Sequence, residues 1–233
     1  MKPNRAAMWL SALIVVAGCA SSEVTQRQRY EGAKLARPDR IIVHDFTADP
    51  ADVPPESAFA AQLNNAMTPP PQQVALGRKL GAQVAKELVA DLRGMGLPAV
   101  VAAGQPAPRA DDIVLRGYFV SVDEGSATQR VLVGFGAGSA ELKTAVEAYQ
   151  MTAHGLRPLA RAEIKSGGGK LPGVVVPVAV VAATANPIGL VVGGVAKGTG
   201  EVTGSETIEG AAKRTADEVA AQLKTAAEEQ GWI

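Results

Sequence analysis

Few residues of this chain have the types and spacing that chemistry at a site requires. The sequence contains one cysteine, Cys19, and two histidines, His44 and His154. Neither histidine belongs to an HxxxH or HExxH pattern, the spacings at which helical side chains hold zinc. His44 and Asp45, together with Asp49, could form a general base. A histidine beside a loop at a strand end is more often a polar surface residue.

A glycine-rich run, GFGAG at residues 134–138, resembles a phosphate-binding loop only superficially. It lacks the Lys-Ser/Thr ending of such loops, and no clear helix follows it. A bulge or hairpin at a strand end explains the glycines better. The sequence also has no Gly-x-Ser-x-Gly motif for acyl transfer. We therefore expect no catalytic, metal-binding or cofactor-binding residues, and a protein that is not an enzyme.

The N-terminus has the layout of a signal peptide. Lys2 and Arg5 supply positive charge, and Met8–Val16 form a short apolar run. That run is far shorter than the roughly 20 apolar residues of a membrane-spanning helix. We expect residues 1–18 to be a signal peptide that is removed on export.

The end of this segment, Val16-Ala17-Gly18-Cys19, resembles the lipobox of bacterial lipoproteins. The resemblance implies that signal peptidase recognises Val16, Ala17 and Gly18. It also implies that Cys19 receives fatty acyl chains such as palmitate and becomes the first residue of the mature protein. Two or more acyl chains give stable anchoring. An ordinary secretory signal that happens to contain a cysteine is the alternative.

Residue 20 helps to predict the membrane. It is Ala, whereas lipoproteins retained in the inner membrane usually have Asp there. The resemblance therefore implies an outer-membrane lipoprotein that faces the periplasm, with the inner membrane as the less favoured location.

Composition argues against nucleic acid as a partner. The chain has 23 basic and 23 acidic residues, and removal of residues 1–18 takes away two basic residues and no acidic ones. A slightly negative mature chain is not typical of nucleic-acid binding. Aromatic residues are only 4% while Ala, Val and Gly are abundant, which predicts a core of small aliphatic side chains with closely packed elements.

The polar residues 19–38 are predicted to be a lipidated N-terminus and tether, followed by a single α+β domain at 39–233. A run of β-branched residues predicts a buried strand at Arg40–Phe46. Leucine or valine at every fourth position predicts an amphipathic helix at Gln72–Arg93. Further strands are expected at 99–103, 113–122, 130–135 and 156–165, and a C-terminal helix at 205–230.

Residues 139–153 fit both helical spacing and strand alternation. Propensity favours a helix. The sequences GYFVSVDEG at 117–125 and RVLVGFGAGSAELKTAVEAY at 130–149, followed by a Gly-rich apolar stretch, resemble bacterial lipoproteins of the domain of unknown function 4410 family. That resemblance implies a strand at 139–153 and brings no assigned activity. The expected fold is α+β, with a mixed, largely antiparallel sheet packed by the long amphipathic helix and the C-terminal helix.

Residues 171–196, LPGVVVPVAVVAATANPIGLVVGGVA, contain no charge. Pro177 and the Asn-Pro-Ile-Gly break at 186–189 divide this stretch into two apolar pieces, each too short to cross a bilayer alone. We interpret it as an apolar hairpin that contains Gly and Pro. It could cover the sheet, insert into a membrane or bind a partner.

Two functions are compatible with these features. The first is a lipid-anchored, non-catalytic interaction or assembly module of the cell envelope, with an envelope protein or a second copy of itself as partner. The alternative is a membrane-active or pore-forming lipoprotein that inserts the 171–196 hairpin. Both involve the membrane through the N-terminal lipid, and neither involves nucleic acid.

Overall fold

The computed structural model describes residues 21–65, 69–125, 140–167 and 207–233. The lipobox, the predicted strand at 130–135 and the apolar segment 171–196 lie outside these residues. The described strands are β1 (Ser21–Gln28), β2 (Ile41–Val43), β3 (Ala99–Val101), β4 (Ile113–Asp123), β5 (Glu141–Thr152) and β6 (Gly155–Gly167). The α-helices are α1 (Ala60–Asn64), α2 (Pro71–Gly94) and α3 (Ile208–Gln230), and a 3₁₀ turn spans Pro50–Asp52.

The six strands form one sheet in the order β1-β6-β5-β4-β2-β3. β2 pairs in parallel with β3 and β4, whereas β4, β5, β6 and β1 pair antiparallel. The predicted α+β fold with a mixed, largely antiparallel sheet is therefore confirmed. The predicted apolar hairpin lies outside the described residues.

The short strand β2 is central because its side chains are apolar on both faces. Ile41, Ile42 and Val43 are all buried between β3 and β4. The crossover from β2 to the parallel strand β3 runs through α2, as parallel neighbours require a long connection. This confirms the buried strand that the β-branched run predicts, although the strand itself has only three residues.

Helices α2 and α3 pack side by side on one face of the sheet. From Leu80 to Leu92 the leucine and valine stripe of α2 is fully buried there, as the four-residue spacing predicts, whereas Leu76 is only partly buried. α3 contributes mostly alanines to the same core. Its last turn ends at Gly231, whose φ of 76° is the left-handed conformation of a helix cap. Trp232 packs back, and its indole N–H donates to the carbonyl of Leu35 at 3.1 Å.

Two glycines let α2 approach the chain that follows β2. A Cβ on Gly81 would lie 1.7 Å from the backbone carbonyl oxygen of Phe46, and one on Gly77 would lie 2.3 Å from the Cβ of Ala48. No side chain fits at 81 without a backbone shift. These glycines set the distance between α2 and the 46–48 segment.

The prediction of a tether is wrong for Ser21–Gln28. These residues form the edge strand β1, which pairs antiparallel with β6 along its whole length. Its sequence, SSEVTQRQ, is almost entirely polar because five of the seven side chains from Ser22 to Gln28 are exposed. Val24 is the exception and packs against the core. The folded domain therefore includes Ser21–Gln28.

The hairpin of β5 and β6 confirms two further predictions. Residues 141–152 form a strand, so the strand interpretation of 139–153 is correct over these positions. β6 follows after a tight turn at Ala153 and His154, with Gly155 at a φ of 108°. That φ favours glycine, and β6 confirms the strand predicted at 156–165.

The other face of the sheet has a thin cover made of α1 and the loop before it. Phe59 and Leu63 pack there on Tyr118 and Ala145 as a small apolar cluster. Beside this cluster the face is polar, with Arg116, Glu147 and Tyr149 as its main side chains. One face is thus covered by two long helices over an apolar core, whereas the other has a thin cover beside polar side chains.

Candidate functional site

Four strands have an end in one row at the same edge of the domain. The register pairs Ser21 with Gly167, Gly167 with Glu141 and Glu141 with Asp123. The start of β1, the end of β6, the start of β5 and the end of β4 therefore lie side by side. We call this row the anchor end of the sheet.

Helix α3 also begins near the anchor end. The hydroxyls of Thr215 and Ser166 form a buried hydrogen bond of 2.9 Å. Ser166 is one residue before the end of β6, and Thr215 is two turns into the helix. At the other end of α3, the side-chain carbonyl of Gln230 accepts from the backbone N–H of Leu35. α3 therefore runs away from the anchor end, and its first residue lies beyond Ser166.

Three stretches of chain are attached to the anchor end. Residues up to 20 lead into Ser21, residues 126–139 connect β4 with β5, and residues 168–206 connect β6 with the start of α3. The apolar segment 171–196 belongs to the last of these. The fold thus places Ser21, which follows Cys19 by two residues in the sequence, and the attachment points of the most apolar segment at one edge of the sheet.

Hydrogen bonds between hydroxyl groups connect the helix layer to the sheet at this edge. Ser166 is fully buried, and its hydroxyl lies 2.8 Å from that of Ser22 on β1. Together with Thr215, these small side chains link β1, β6 and α3 through a continuous row of hydrogen bonds. Buried hydroxyls require such partners, and each hydrogen bond adds roughly 1 kcal/mol to stability. Strand β1 is consequently held at its first residues as well as along its ladder.

The surface of the anchor end carries both signs of charge. Lys165 lies 2.9 Å from a carboxylate oxygen of Glu141, and Lys143 lies 3.9 Å from the other. All three side chains are substantially exposed, so these pairs contribute little to stability. Two lysines on one carboxylate leave a small local excess of positive charge among these three residues.

A polar cleft of about 580 Å³ lies beside the carboxyl end of β2 and includes His44, Asp45 and Arg116 in its lining. Burial, and secondarily the nearby Arg116 guanidinium, lowers the pKa of His44 below its usual 6.5, against a smaller opposing effect of Asp45. Among the described residues the imidazole forms no hydrogen bond that would orient it as a general base. Such an orienting partner is a usual component of nucleophile-base pairs.

Asp49 does not complete this group. Its carboxylate accepts a hydrogen bond from the backbone N–H of Ala51 and caps the 3₁₀ turn, 3.7 Å from the guanidinium of Arg78. His154 lies in the exposed turn between β5 and β6. The structure therefore keeps His44 and Asp45 together at one cleft, engages Asp49 in a cap, and places His154 at a different cleft.

A buried carboxylate on the polar face has no counterpart in the sequence predictions. Glu147 is only 4% exposed, and it accepts 2.6 Å and 2.8 Å hydrogen bonds from the Tyr149 hydroxyl and the Ala58 backbone N–H. Burial, reinforced by Glu147, raises the pKa of Tyr149. Burial likewise raises the pKa of Tyr118 to about 12. In the sequence, the i, i+2 spacing of Glu147 and Tyr149 places both side chains on one face of a strand. Their burial, however, depends on tertiary packing.

The remaining predicted site residues, Val16, Ala17, Gly18 and Cys19, and the glycines at 134–138 lie outside the described residues. Within the described ranges, no group of three or more His, Cys, Asp or Glu side chains is arranged to hold a metal ion. No helix in the same part of the chain is both long and apolar enough to cross a bilayer.

Comparison with known families identifies the chain. The family described as Domain of unknown function (DUF4410) matches residues 41–185, which is more than half of the sequence, and the chain belongs to this family. No curated protein matches.

The solved structures to which this chain is similar include two of the PelC dodecamer from Paraburkholderia phytofirmans. One is a single-substitution variant with 16% identity and a TM-score of 0.36, over 65% of this chain and 84% of that one. The other has 15% identity and a TM-score of 0.36, over 65% of this chain and 86% of that one. A likeness this distant carries no information on function or assembly.

Proposed function

We propose that this protein is a lipid-anchored, non-catalytic interaction or assembly module of the cell envelope, held at the outer membrane by lipid on Cys19 and facing the periplasm. The observation that supports the proposal most is the position of β1. This strand begins two residues after Cys19 and is bonded to β6 along its length. A lipid on Cys19 would be attached almost directly to the sheet.

The short connection has a geometric consequence. Two residues span at most about 7 Å, so a lipid on Cys19 would hold the anchor end against the bilayer. β6 has 13 residues and extends about 40 Å from that end at 3.3 Å per residue. The turn at Ala153 and His154 would then project away from the membrane. A domain fixed in this way presents its far end to a partner in a defined orientation.

A second function, a membrane-active lipoprotein, is supported by the attachment of residues 168–206. This segment leaves β6 at Gly167 and returns at the start of α3, both at the anchor end. Its apolar residues 171–196 would therefore be attached at the membrane surface when lipid holds Cys19. Insertion would require no reorientation of the domain.

Membrane fractionation with an alkaline carbonate wash separates the two functions. The native chain is compared with a Cys19→Ser variant exported by an ordinary cleavable signal. If lipid is the sole anchor, the native chain stays with the outer membrane and the variant becomes soluble. A variant that resists the wash would favour insertion of 171–196. A native chain that washes off would refute lipid anchoring.

The orientation has its own test, because a lipidated Cys19 leaves the native chain without a reactive thiol. Lys143→Cys and His154→Cys place single thiols at the two ends of β5, 11 residues or about 36 Å apart. On the lipidated protein bound to vesicles, a fluorophore at 143 should be quenched by headgroup-labelled lipid, whereas one at 154 should not. Equal quenching at the two positions would contradict the orientation.

The interaction role is tested by photo-crosslinking in intact cells. A photoreactive side chain at 154 should capture an envelope protein or a second copy of the chain reproducibly. The same group at 143 serves as the control at the membrane end. Absence of any specific product from 154 and from neighbouring exposed positions under several growth conditions would count against an interaction module.

A further inference from the structure

An apolar cavity of about 140 Å³ lies between α3 and the sheet, and we call it the α3 cavity. It is lined on the sheet side by Val146, Ala148, Ala160 and Ala162, and on the helix side by Val219 and Leu223. The core here is not closely packed, contrary to what the small aliphatic composition predicts.

The cavity exists because the sheet presents alanines where α3 crosses it. Ala148, Ala160 and Ala162 belong to the strand faces that point to the helix layer, yet all three remain partly exposed. Their methyl groups are too short to reach α3. Elsewhere under the helices, leucine, isoleucine and valine side chains fill this space.

Water is a poor occupant of such a space. A buried water needs two to four polar partners, and the walls of the α3 cavity are overwhelmingly apolar. An engineered apolar cavity of about 150 Å³ stays dry and binds benzene. The chemistry of the lining therefore selects an aliphatic or aromatic group.

The mouth of the cavity is cationic. Arg27 and Arg29, two residues apart in the sequence, both line it, and Arg29 forms an ion pair of 3.2 Å with Glu229. Arg27 instead donates to the neutral side-chain carbonyl of Gln222. It forms no ion pair with any residue in the described ranges. An exposed guanidinium without a carboxylate partner is suited to bind an anionic head group.

We propose that the α3 cavity binds the alkyl chain of a single-chain anionic amphiphile, a fatty acid being the simplest, with the carboxylate on Arg27. The site is independent of the lipid on Cys19, because Arg27 lies near the opposite end of β1 from Ser21. The proposal thus goes beyond membrane anchoring and can fail or succeed separately from it.

Trp232 lines the cavity and provides the readout. The chain has two tryptophans, so Trp9→Phe leaves Trp232 as the single fluorophore. Cys19→Ser in the same full-length chain keeps the protein free of its own lipid. Titration with dodecanoate should give a saturable change in Trp232 fluorescence, and 1-dodecanol should bind more weakly.

Matched variants locate the site. Ala160→Leu fills the cavity and should weaken dodecanoate binding at least about tenfold, since it displaces several methylene groups of the ligand. Ala148→Leu does the same from the neighbouring strand and serves if the first variant folds poorly by circular dichroism. Ala221→Leu adds the same group to an exposed position of α3 outside the cavity and should leave binding unchanged. All variants share residues 1–18, so any amphiphile that binds to this N-terminal segment contributes equally to every titration.

The head-group assignment rests on Arg27→Gln, which should weaken dodecanoate several-fold and leave 1-dodecanol unaffected. The proposal is overturned if the reference protein shows no saturable response, or if the two cavity-filling variants bind dodecanoate as it does. Equal losses in Ala160→Leu and Ala221→Leu would also overturn it. Tighter binding of dodecyltrimethylammonium than of dodecanoate would exclude an anionic ligand.

Discussion

The two faces of the β4-β5-β6 sheet are stabilised by different interactions. The face under α2 and α3 is apolar, closely packed at Gly81 and hollow at the α3 cavity. The opposite face carries a buried carboxylate with hydrogen bonds from Tyr149 and Ala58. Hydrogen bonds are directional, so those of Glu147 fix the positions of the side chains on the polar face even though its cover is thin. Apolar contacts are not directional, and the helix face can therefore contain the α3 cavity.

Substitutions on the two faces should therefore have different effects on the free energy of unfolding. On the helix face, the effect should depend on the space around each position and can have either sign. On the polar face, loss of a group that donates to Glu147 should destabilise, because one oxygen of that buried side chain is left unpaired.

The largest effect is expected at Gly81. Gly81→Ala places a Cβ within 1.7 Å of the Phe46 carbonyl oxygen, which forces α2 and the 46–48 segment apart. We expect a loss of about 3 kcal/mol or more in the free energy of unfolding, measured by urea denaturation. Gly94→Ala, in the last turn of the same helix with no neighbour within 4 Å, is the control. It should be neutral or slightly stabilising, and equal losses in the two variants would refute the close approach.

On the polar face, Tyr149→Phe removes the hydroxyl that donates to Glu147 at 2.6 Å. One oxygen of a buried carboxylate then lacks its partner, and we expect a loss of about 2 kcal/mol in urea denaturation. Tyr30→Phe is the matched control, since the Tyr30 hydroxyl makes no hydrogen bond to the described residues. A Tyr149→Phe protein as stable as the native one would show that Glu147 does not depend on this contact.

The sequence alone predicts much of this fold and little of its polar face. The four-residue spacing along α2 and the β-branched run at β2 each predict burial correctly, because such periodicity is a local property. β1 was missed because an exposed edge strand needs few apolar residues, and SSEVTQRQ reads equally well as a linker. Its pairing partner is more than 130 residues away in sequence, a distance at which local patterns carry no information.

The candidate sites also divide into those that local sequence patterns predict and those that depend on tertiary packing. The signal for an anchor at Cys19 is local and visible in the sequence. The buried position of Glu147 depends on α1 and its loop folding over β5, and the α3 cavity depends on which strand positions under α3 carry alanine. Neither follows from composition, and the expectation of close packing failed at the cavity because the short alanine side chains of the sheet do not fill the space below α3.

In contrast to the losses expected at Gly81 and Tyr149, a moderate gain in stability is expected when the α3 cavity on the helix face is filled. Ala160→Leu should raise the free energy of unfolding by about 1 kcal/mol, because the added methyl and methylene groups fill empty apolar space. Ala221→Leu, on the exposed side of α3, should change stability by less than about 0.5 kcal/mol. Destabilisation by Ala160→Leu would show that the layers are already in contact there, and the contrast with Gly81 would disappear.

The smallest effect concerns His44, which shares the polar cleft with Arg116. Burial and Arg116 lower its pKa in the folded state, so between pH 7.5 and 5.5 the unfolded chain binds more protons than the folded one. Stability should therefore be complete above the unfolded pKa of 6.5 and decline as the pH falls below it, by less than about 1 kcal/mol for this half-buried group. His44→Gln should reduce that decline, whereas His154→Gln, which removes the histidine of the exposed turn, should retain it. If His44→Gln and the native chain follow the same pH profile in urea denaturation, the polar face does not sense the protonation of His44, and its geometry rests on the Glu147 hydrogen bonds alone.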